Sequence, residues 1–277
     1  MTHIPACPVG PDWQSLCDRI APVLRQLLKA ETQLASDIMS KDSEVAGDLV
    51  TAADLRIQAR LHELLLKLLP GSRFIGEEDF AAIDRLEEAF FWIVDPLDGT
   101  LNFASGLPFF GASVALVHAG HPVLGLVLDC GSDSLFDASH DGPARCNGQA
   151  FTWDAGLAAR SPVGISSGFM AQMRRDPARF DPAWLGQRFR IFGSQAIQLC
   201  WAAEGRLRLN INHEAKLWDD AAGALICQRA GAAHEALASA PFFPLVAGSK
   251  ALAGQSLFSV SGSPELVARC IADFRTE

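Results

Sequence analysis

Two aspartates stand three residues apart in the segment IVDPLDGTLNF, with a proline between them. Asp95 ends a run of apolar, β-favouring residues, and Asp98 lies directly before Gly99. Because Pro96 turns the backbone, both carboxylates and the carbonyl of Leu97 can face one point. Carboxylate and carbonyl oxygens are the ligands that hard cations such as Mg²⁺ bind, at about 2.0–2.1 Å. The segment therefore predicts a cation site at the end of a strand.

Further acidic positions lie far from this segment in the chain. Glu77 and Glu78 follow a short β-favouring run that ends in a glycine, and Asp219 stands where a helical pattern begins. Taken singly, these acids have ordinary structural explanations as turn formers, solvated loop residues or a helix N-cap. Together with Asp95 and Asp98 they favour a set of oxygen ligands for divalent ions that would polarise a phosphoryl group.

The composition restricts the classes of function. The chain has 277 residues, 49% hydrophobic and 20% charged, as expected of a globular protein with a substantial core. Its formal net charge of −9 argues against a nucleic-acid-binding surface, although cations can mediate contact with a phosphate. Seven cysteines without a CxxC pair argue against a disulfide framework or zinc site and favour a reducing cytoplasm. We find neither a signal peptide nor a membrane span in the sequence.

The elements that must position the acids begin with two helices. Apolar residues at helical spacing predict one helix from Trp13 to about Ser40 and another that starts at Asp54 and ends at Pro70. RFIGEED and EAFFWIVDP are typical of strands, and the apolar runs that flank AGHP predict a β-hairpin. Asn147-Gly148 indicates another turn. The first half is therefore predicted to contain two helices and a largely antiparallel sheet.

The second half has the pattern of an α/β unit. VGISSGF, RIFGS and RLRLNIN predict strands, and GSQAIQLCWAAEG and LWDDAAGALICQRAGA predict helices, the latter ending at Gly231. We place a boundary between an N-terminal α+β part, residues 1–148, with most of the acids, and a C-terminal α/β part, residues 149–277, with Asp219 and the segments that would contact substrate. The histidines show no common ligand spacing.

Six segments, in this order, resemble the inositol monophosphatase family of lithium-sensitive, Mg²⁺-dependent phosphatases. DPLDGT and WDDAAG together are the most specific, and the resemblance covers nearly the whole chain. It implies an α/β (α+β) fold layered as an α-β-α-β-α sandwich, two or three Mg²⁺ ions, inhibition by lithium and a homodimer. The segments are DLVTAAD (48–54), FIGEE (74–78), WIVDPLDGTLNF (92–103), CNGQ (146–149), GSQA (193–196) and WDDAAG (218–223).

The resemblance also implies roles for individual residues. Thr100 and Asp54 would orient and deprotonate the attacking water, because a threonine hydroxyl can accept from water while it donates to a carboxylate. Glu77 would assist, and the backbone at Gly99 and Thr100 would hold phosphate oxygens. Water would attack phosphorus directly, without a covalent intermediate. The implied metal ligands are Glu77, Asp95, the carbonyl of Leu97, Asp98 and Asp219, with Asp95 bridging the ions.

The substrate-reading positions depart from the family pattern. Asn212 stands where inositol-preferring relatives carry a glutamate that binds ring hydroxyls, and an amide lacks the charge that strengthens such a bond. Glu214 lies two residues further on and could replace it. Lys216 could form a local salt bridge or meet a second anionic group of the substrate. The implied substrate contacts are Gly99, Thr100, Gly193, Ser194, Gln195, Asn212 and Asp219.

Three functions are compatible with these residues. The first is a Mg²⁺-dependent phosphomonoesterase for a small polyol phosphate similar to inositol 1-phosphate, without nucleic-acid or membrane partners. The second applies the same chemistry to histidinol phosphate, a sugar bisphosphate or a 3′-phosphonucleotide. The third is a regulatory protein of the same fold, associated with RNA or the transcription apparatus. The acidic charge balance and the complete ligand set argue against the third.

Overall fold

The computed structural model describes residues 12–33, 38–40, 49–80, 90–177, 188–237, 241–249 and 251–274. Strands β1 (Ile38–Ser40) and β2 (Leu49–Thr51) form a small antiparallel pair. A seven-stranded sheet contains, in spatial order, β3 (Arg73–Gly76), β4 (Phe91–Asp98), β5 (Gly111–His118), β6 (His121–Asp129), β7 (Ser134–Ser139), β8 (Arg145–Cys146) and β9 (Gln149–Ala150). Only β3 and β4 run parallel within this sheet. The predicted hairpin and the largely antiparallel arrangement are confirmed.

Helices α1 (Trp13–Gln33) and α2 (Ala52–Leu68) cover one face of this sheet. Their buried residues recur at helical spacing and pack against alternate residues of the strands, so that burial fixes both helices on the sheet. The prediction that the first helix extends to about Ser40 is wrong. Ile38–Ser40 pairs instead with Leu49–Thr51, and this strand pairing overrides the local helical pattern.

A five-stranded sheet forms the second β layer. It contains β10 (Val163–Ile165), β11 (Phe189–Arg190), β12 (Leu209–Asn212), β13 (Ala233–Ala236) and β14 (Ser259–Gly262), in the order β11-β10-β12-β14-β13. The prediction of a strand through all of VGISSGF is wrong beyond Ile165. Ser166 accepts a hydrogen bond from the amide of Phe169 and caps a helix there.

The remaining helices complete the layers. Short helices α3 (Thr100–Ala104) and α4 (Ala155–Ala158) lie in connections, and α5 (Ser167–Arg175) and α8 (Pro264–Phe274) pack on the outer face of the second sheet. The predicted helices α6 (Gln195–Glu204) and α7 (Leu217–Ala230) lie between the two sheets. This order confirms the predicted α-β-α-β-α sandwich. The division into 1–148 and 149–277 stays a prediction.

Close packing places α7 directly on the large sheet. A Cβ added at Gly125 of β6 would lie 2.8 Å from the carbonyl oxygen of Ala222 on α7. A side chain at this position would therefore push the helix away from the sheet, and glycine avoids this clash. The hydroxyl of Ser113 on β5 donates to the carbonyl oxygen of Trp218 at 2.9 Å. These two contacts fix the start of α7, which carries Asp219, beside the ends of β4 and β5.

Candidate metal and active site

Asp95 lies at an irregularity in β4. The ladder with β5 pairs Asp95 with Ser113 and Asp98 with Gly111, and the register shifts between these pairs. Pro96 cannot donate to the ladder, which explains why the shift occurs there. The Leu97 amide donates to Asp95 Oδ1 at 2.9 Å, and the Asp95 side chain is only 2% exposed. A buried carboxylate at a strand end has little freedom, as a cation ligand requires.

Asp98 is fixed by the first turn of α6. Its Oδ2 accepts from the hydroxyl of Ser194 at 2.6 Å and from the amide of Ala196 at 2.7 Å. Burial raises the pKa of Asp98 to about 6, although these hydrogen bonds oppose the rise. The predicted segment GSQA therefore holds a predicted metal ligand through Ser194.

Asp219 lies in the first turn of α7, where its Oδ2 accepts from the amide of Lys216 at 2.7 Å. Burial raises its pKa well above the ordinary value, and the charges of Asp98 and Glu77 add to the rise. Its interaction with Asp95 also raises the pKa of that carboxyl.

Four acids from separate parts of the chain lie close enough for their charges to interact. The amide of Glu77 donates to the carbonyl of Val94 at 3.1 Å, which places Glu77 beside β4. Burial raises the pKa of Asp95 most, followed by the charges of Glu77, Asp98 and Asp219. Among the residues that the structure describes, no group of three or more acidic, histidine or cysteine side chains is arranged so that it could hold a metal ion. The donors are nevertheless all oxygens and mutually repulsive, which fits hard divalent cations.

The two residues predicted to handle the proton occupy neighbouring elements. Asp54 is buried near the start of α2, 1% exposed, and α3, which begins at Thr100, packs against β2 just before it. The hydroxyl of Thr100 donates to the carbonyl oxygen of Leu97 at 3.0 Å. Thr100 therefore contacts one predicted metal ligand directly, and its bond to Asp54 stays a prediction.

Two glycine turns meet beside the acids. Gly99 has a φ of 88°, and a Cβ there would lie 2.7 Å from the carbonyl oxygen of Phe109 and 3.3 Å from that of Gly193. Asn102 joins the same two loops, because its Nδ2 donates to the carbonyls of Phe109 and Phe192, both at 2.7 Å. Sequence reasoning assigned no role to Asn102, although its place inside DGTLNF was a usable signal. The turn of the DGT motif thus packs against the turn of the GSQ motif.

A cavity of about 120 Å³ opens beside Asp98 and Asp219. Its wall includes the predicted substrate residues Gly193, Ser194, Gln195 and Asn212, together with Glu214, Ser166 and Ser167. Among the described residues that line it, none is a lysine or an arginine, and three are acidic: Asp98, Asp219 and Glu214.

Hydrogen bonds within the protein occupy most polar atoms of the side chains of Asn212 and Gln195, two predicted substrate residues. Asn212 Oδ1 accepts from the amides of Glu214 and Ala215, both at 2.7 Å, and its Nδ2 donates to Gln195 Oε1 at 2.8 Å. Gln195 Nε2 in turn donates to Asp220 Oδ1 at 2.7 Å. These two side chains therefore brace the cavity wall. Sequence reasoning did not identify Asp220, whose fully buried carboxylate anchors this network.

Glu214 and Lys216 make contacts outside this network. Glu214 is exposed, and its Oε2 accepts from the amide of Gly168 at 2.8 Å, which leaves Oε1 for another donor. Lys216 Nζ donates to the carbonyl of Gly254 at 3.0 Å and the hydroxyl of Ser256 at 3.3 Å. Lys216 thus ties the start of α7 to a neighbouring loop, an arrangement that neither of the two sequence-based interpretations anticipated.

Comparison with known proteins identifies the family. Residues 14–269 match the model of the inositol monophosphatase family. The chain belongs to this family. Its members are phosphatases that hydrolyse phosphate monoesters, and the chain is accordingly a phosphoric monoester hydrolase. Among the helices of the described ranges, none has the length and apolar character needed to cross a membrane.

The similar proteins include relatives and solved structures. A probable inositol 1-monophosphatase, ImpA, of Mycobacterium tuberculosis is 34% identical over 250 residues, which cover 85% of this chain and 90% of the relative. A staphylococcal inositol monophosphatase-1, soaked with LiCl as an inhibitory complex, superposes with a TM-score of 0.76 at 21% identity, covering 96% of each chain. An IMPase/NADP phosphatase complexed with Mg²⁺ and phosphate has a TM-score of 0.75 at 20% identity, covering 96% of this chain and 97% of that one. The two structural likenesses support the fold.

Proposed function

We propose that the protein is a Mg²⁺-dependent phosphomonoesterase that hydrolyses a small polyol phosphate, similar to inositol 1-phosphate. The observation that carries this proposal is the raised pKa of Asp95, which is caused first by burial and then by the nearby charges of Glu77, Asp98 and Asp219. A phosphate ester is itself negative, so it can enter an acidic cavity only together with cations. The similar IMPase/NADP phosphatase complexed with Mg²⁺ and phosphate supports the choice of ion.

The four carboxylates and the Leu97 carbonyl would hold the ions. When bound, Mg²⁺ would polarise the phosphoryl oxygens and offset the charge on the leaving ester oxygen. Asp98 is oriented for this task by Ser194 and Ala196, and Asp219 by the Lys216 amide. Because their geometry is set by these bonds before substrate arrives, little reorganisation is needed during the reaction.

Thr100 and Asp54 would handle the proton of the attacking water. The hydroxyl of Thr100 would accept from the water and donate to the Asp54 carboxylate, with Glu77 assisting. For this relay the hydroxyl must exchange its observed acceptor, the carbonyl of Leu97, for Asp54. The amides of Gly99 and Thr100 would bind phosphate oxygens, since these residues directly follow Asp98 and begin α3.

The organic half of the substrate would lie against Glu214. Glu214 lines the same cavity as Asp98 and Asp219, and one of its carboxylate oxygens is fixed by the amide of Gly168. The other oxygen can accept from a substrate hydroxyl, in a charge-assisted bond. Asn212 braces this wall and has one amide hydrogen left for substrate. This arrangement favours a substrate rich in hydroxyl groups.

The test is release of inorganic phosphate from a panel of esters, with Mg²⁺ or with EDTA. The panel contains inositol 1-phosphate, histidinol phosphate, fructose 1,6-bisphosphate and a 3′-phosphonucleotide. We expect Mg²⁺-dependent hydrolysis, greatest for the polyol ester, and its loss in Asp95→Asn. Full activity of Asp95→Asn, or activity in EDTA equal to that in Mg²⁺, would contradict the proposal. A preference for the nucleotide would instead favour the second candidate substrate class.

Lithium inhibition, a homodimer and a cytoplasmic location complete the proposal. The staphylococcal relative soaked with LiCl as an inhibitory complex supports the first of these. Titration of activity with LiCl and light scattering of the purified chain would test inhibition and oligomeric state separately.

A further inference from the structure

The turn that presents Glu214 to the cavity of about 120 Å³ is held by side chains of two other elements. The amides of Glu214 and Ala215 donate to Oδ1 of Asn212, both at 2.7 Å. The amide of His213 donates to the hydroxyl of Ser166 at 3.1 Å. The first turn of α5 fixes Oε2 of Glu214. The position of the other carboxylate oxygen, Oε1, therefore depends on whether Asn212 stays in place.

The side chain of Asn212 is held in a single orientation. Its Nδ2 donates to Oε1 of Gln195 at 2.8 Å, and Nδ2 of Asn210, on the same face of β12, donates to that oxygen at 3.0 Å. Because an amide oxygen has two lone pairs, these two bonds use its full capacity. Reversing the Asn212 amide would turn its NH₂ group against two backbone amides and its oxygen against Gln195 Oε1. Asn212 therefore keeps its place only while Gln195 accepts from it.

Gln195 is anchored in turn by Asp220. Nε2 of Gln195 donates to Oδ1 of Asp220 at 2.7 Å and to the hydroxyl of Ser259 at 3.3 Å. With these two bonds the amide group of Gln195 makes four, so its side chain has no donor or acceptor left for a substrate. The bond to Asp220 is the shorter of the two, and the carboxyl group of Asp220 is fully buried. Asp220 is therefore the main anchor of the Gln195 side chain.

The backbone of Gln195 is held separately from its side chain. The residues on either side of it, Ser194 and Ala196, both donate to Oδ2 of Asp98, at 2.6 and 2.7 Å. The backbone should therefore stay in place when the Gln195 side chain loses its anchor. A change at Asp220 should then alter the substrate wall and leave Asp98 where it is, so it should change KM more than kcat.

We propose that Asp220 is a positioning residue for substrate specificity, which acts through Gln195 and Asn212 to fix the turn that presents Glu214 to substrate hydroxyl groups. Asp220 is not among the described residues that line the cavity, so it acts only through others. Three hydrogen bonds, from Asp220 to Gln195, then to Asn212 and then to the Glu214 amide, form the route. The inference rests on the proposed function, in which Glu214 accepts from a substrate hydroxyl.

Two substitutions at Asp220 separate its acceptor oxygen from its mere presence. Asp220→Ala removes the acceptor of Gln195 Nε2, whereas Asp220→Asn keeps an oxygen for this bond and a similar shape. With inositol 1-phosphate and Mg²⁺, we expect Asp220→Ala to raise KM about fivefold or more, with kcat within about twofold. Asp220→Asn should keep KM within about twofold. With p-nitrophenyl phosphate, which has no hydroxyl group to bind, KM should be unchanged in both variants.

A double-mutant cycle with Glu214→Gln tests whether the effect passes through Glu214. Residues that act independently have multiplicative effects, whereas residues of one hydrogen-bond network do not. In the Glu214→Gln background, Asp220→Ala should raise KM for inositol 1-phosphate by less than about twofold. A general loosening of the fold would instead raise KM equally in both backgrounds and for both esters.

Gln195→Met provides a second variant, should Asp220→Ala not fold. Methionine keeps the unbranched shape but cannot bridge Asp220 and Asn212, so the same rise in KM is expected. Urea unfolding checks that each variant is folded under the assay conditions. The inference is overturned if the variants leave KM for inositol 1-phosphate unchanged, if KM for p-nitrophenyl phosphate rises equally, or if the effect persists in Glu214→Gln. In each of these cases hydrolysis by the unaltered chain would still support the proposed function, whereas its absence with every ester would overturn both.

Discussion

At the scale of single residues, Thr100 has two competing hydrogen-bond acceptors. In the structure its hydroxyl donates to the carbonyl of Leu97 at 3.0 Å, whereas the proposed relay needs it to donate to Asp54. The same Leu97 carbonyl is a predicted cation ligand, so the observed bond holds Thr100 beside the predicted cation site. Because the hydroxyl donates in this bond, the oxygen of Thr100 keeps its lone pairs for the proposed water.

Thr100→Ala should lower kcat by about 100-fold or more, as expected when a group that moves a proton is removed. The Mg²⁺ concentration at half-maximal activity should stay within about threefold, because the hydroxyl is not assigned as a ligand. Steady-state kinetics of phosphate release measures both quantities. Thr100→Ser keeps the hydroxyl and is the control, with most of the activity retained. An unchanged kcat in Thr100→Ala would remove this residue from the mechanism.

Glu214→Gln tests the organic half of the site. A glutamine can still accept from the Gly168 amide, so the wall should keep its shape, but the charge that strengthens a bond to a substrate hydroxyl is lost. We expect KM for a polyol phosphate to rise about tenfold. With p-nitrophenyl phosphate, which has no hydroxyl group to bind, KM should be unchanged. An equal rise for both substrates would show that Glu214 acts on the phosphate end instead.

At the scale of elements, sequence patterns predicted the helices and turns whose formation depends on residues close together in the chain. The β5–β6 hairpin, the Asn147-Gly148 turn, and helices α6 and α7 are all encoded by periodicity and turn residues within one short window. The strand at Ile38–Ser40 was missed because it pairs with Leu49–Thr51, which lies outside the short window in which the helical pattern was found. Strand β14 pairs with both β12 and β13, and nothing in its own short segment reveals this.

The residues of the candidate site likewise include some that local motifs indicate and others whose contacts depend on the packed fold. Its acids could be predicted because DPLDGT and WDDAAG are compact motifs whose chemistry is carried by residue type. The bracing of Asn212 by Gln195 and the fixing of Glu214 by Gly168 join different elements through side-chain orientation. Such contacts depend on the packed fold, so the sequence offered candidates for the hydrolytic centre but could not reveal the contacts of the substrate wall.

The contact between two turns gives an element-scale prediction. Gly99→Ala places a Cβ 2.7 Å from the Phe109 carbonyl at a φ of 88°, whereas Gly71 has a similar φ of 85° with nothing within 4 Å. Gly71→Ala should lower the free energy of unfolding by about 1 kcal/mol, the ordinary cost of alanine in this conformation. Gly99→Ala should lower it by about 2–4 kcal/mol, since backbone strain and overpacking add. Urea unfolding measures the difference, and equal losses would contradict the proposed close contact.

At the scale of the whole molecule, the buried acids that the proposed activity needs should lower the stability of the metal-free protein near neutral pH. Burial raises the pKa of Asp98 to about 6, and it raises the pKa values of Asp95 and Asp219 as well. A raised folded-state pKa means that the folded protein holds its protons more tightly than the unfolded chain. These groups therefore contribute stability at pH values below about 4, and this contribution is lost as the pH rises through the raised values. The metal-free protein should become less stable between about pH 4 and 7.

Asp98→Asn should reveal how much one buried acid lowers the stability of the metal-free protein. An asparagine oxygen can still accept from Ser194 and Ala196, while the buried charge is removed. In EDTA at pH 7.5 the variant should exceed the unaltered protein in free energy of unfolding, by up to about 3 kcal/mol for a pKa raised from 3.8 to about 6. At pH 4.5 the difference should shrink, because Asp98 then keeps its proton in the folded state.

Adding Mg²⁺ at pH 7.5 should reverse this order, because a cation that binds only the folded state stabilises the chain that keeps all its ligands. Urea unfolding of both proteins, in EDTA and in Mg²⁺ at the two pH values, gives the four free-energy differences. Lower stability of Asp98→Asn in EDTA at pH 7.5 would mean that its hydrogen bonds to α6 outweigh burial and repulsion. The Asp98 carboxylate would then stabilise the start of α6, and its burial would no longer support the proposal that these acids bind a cation.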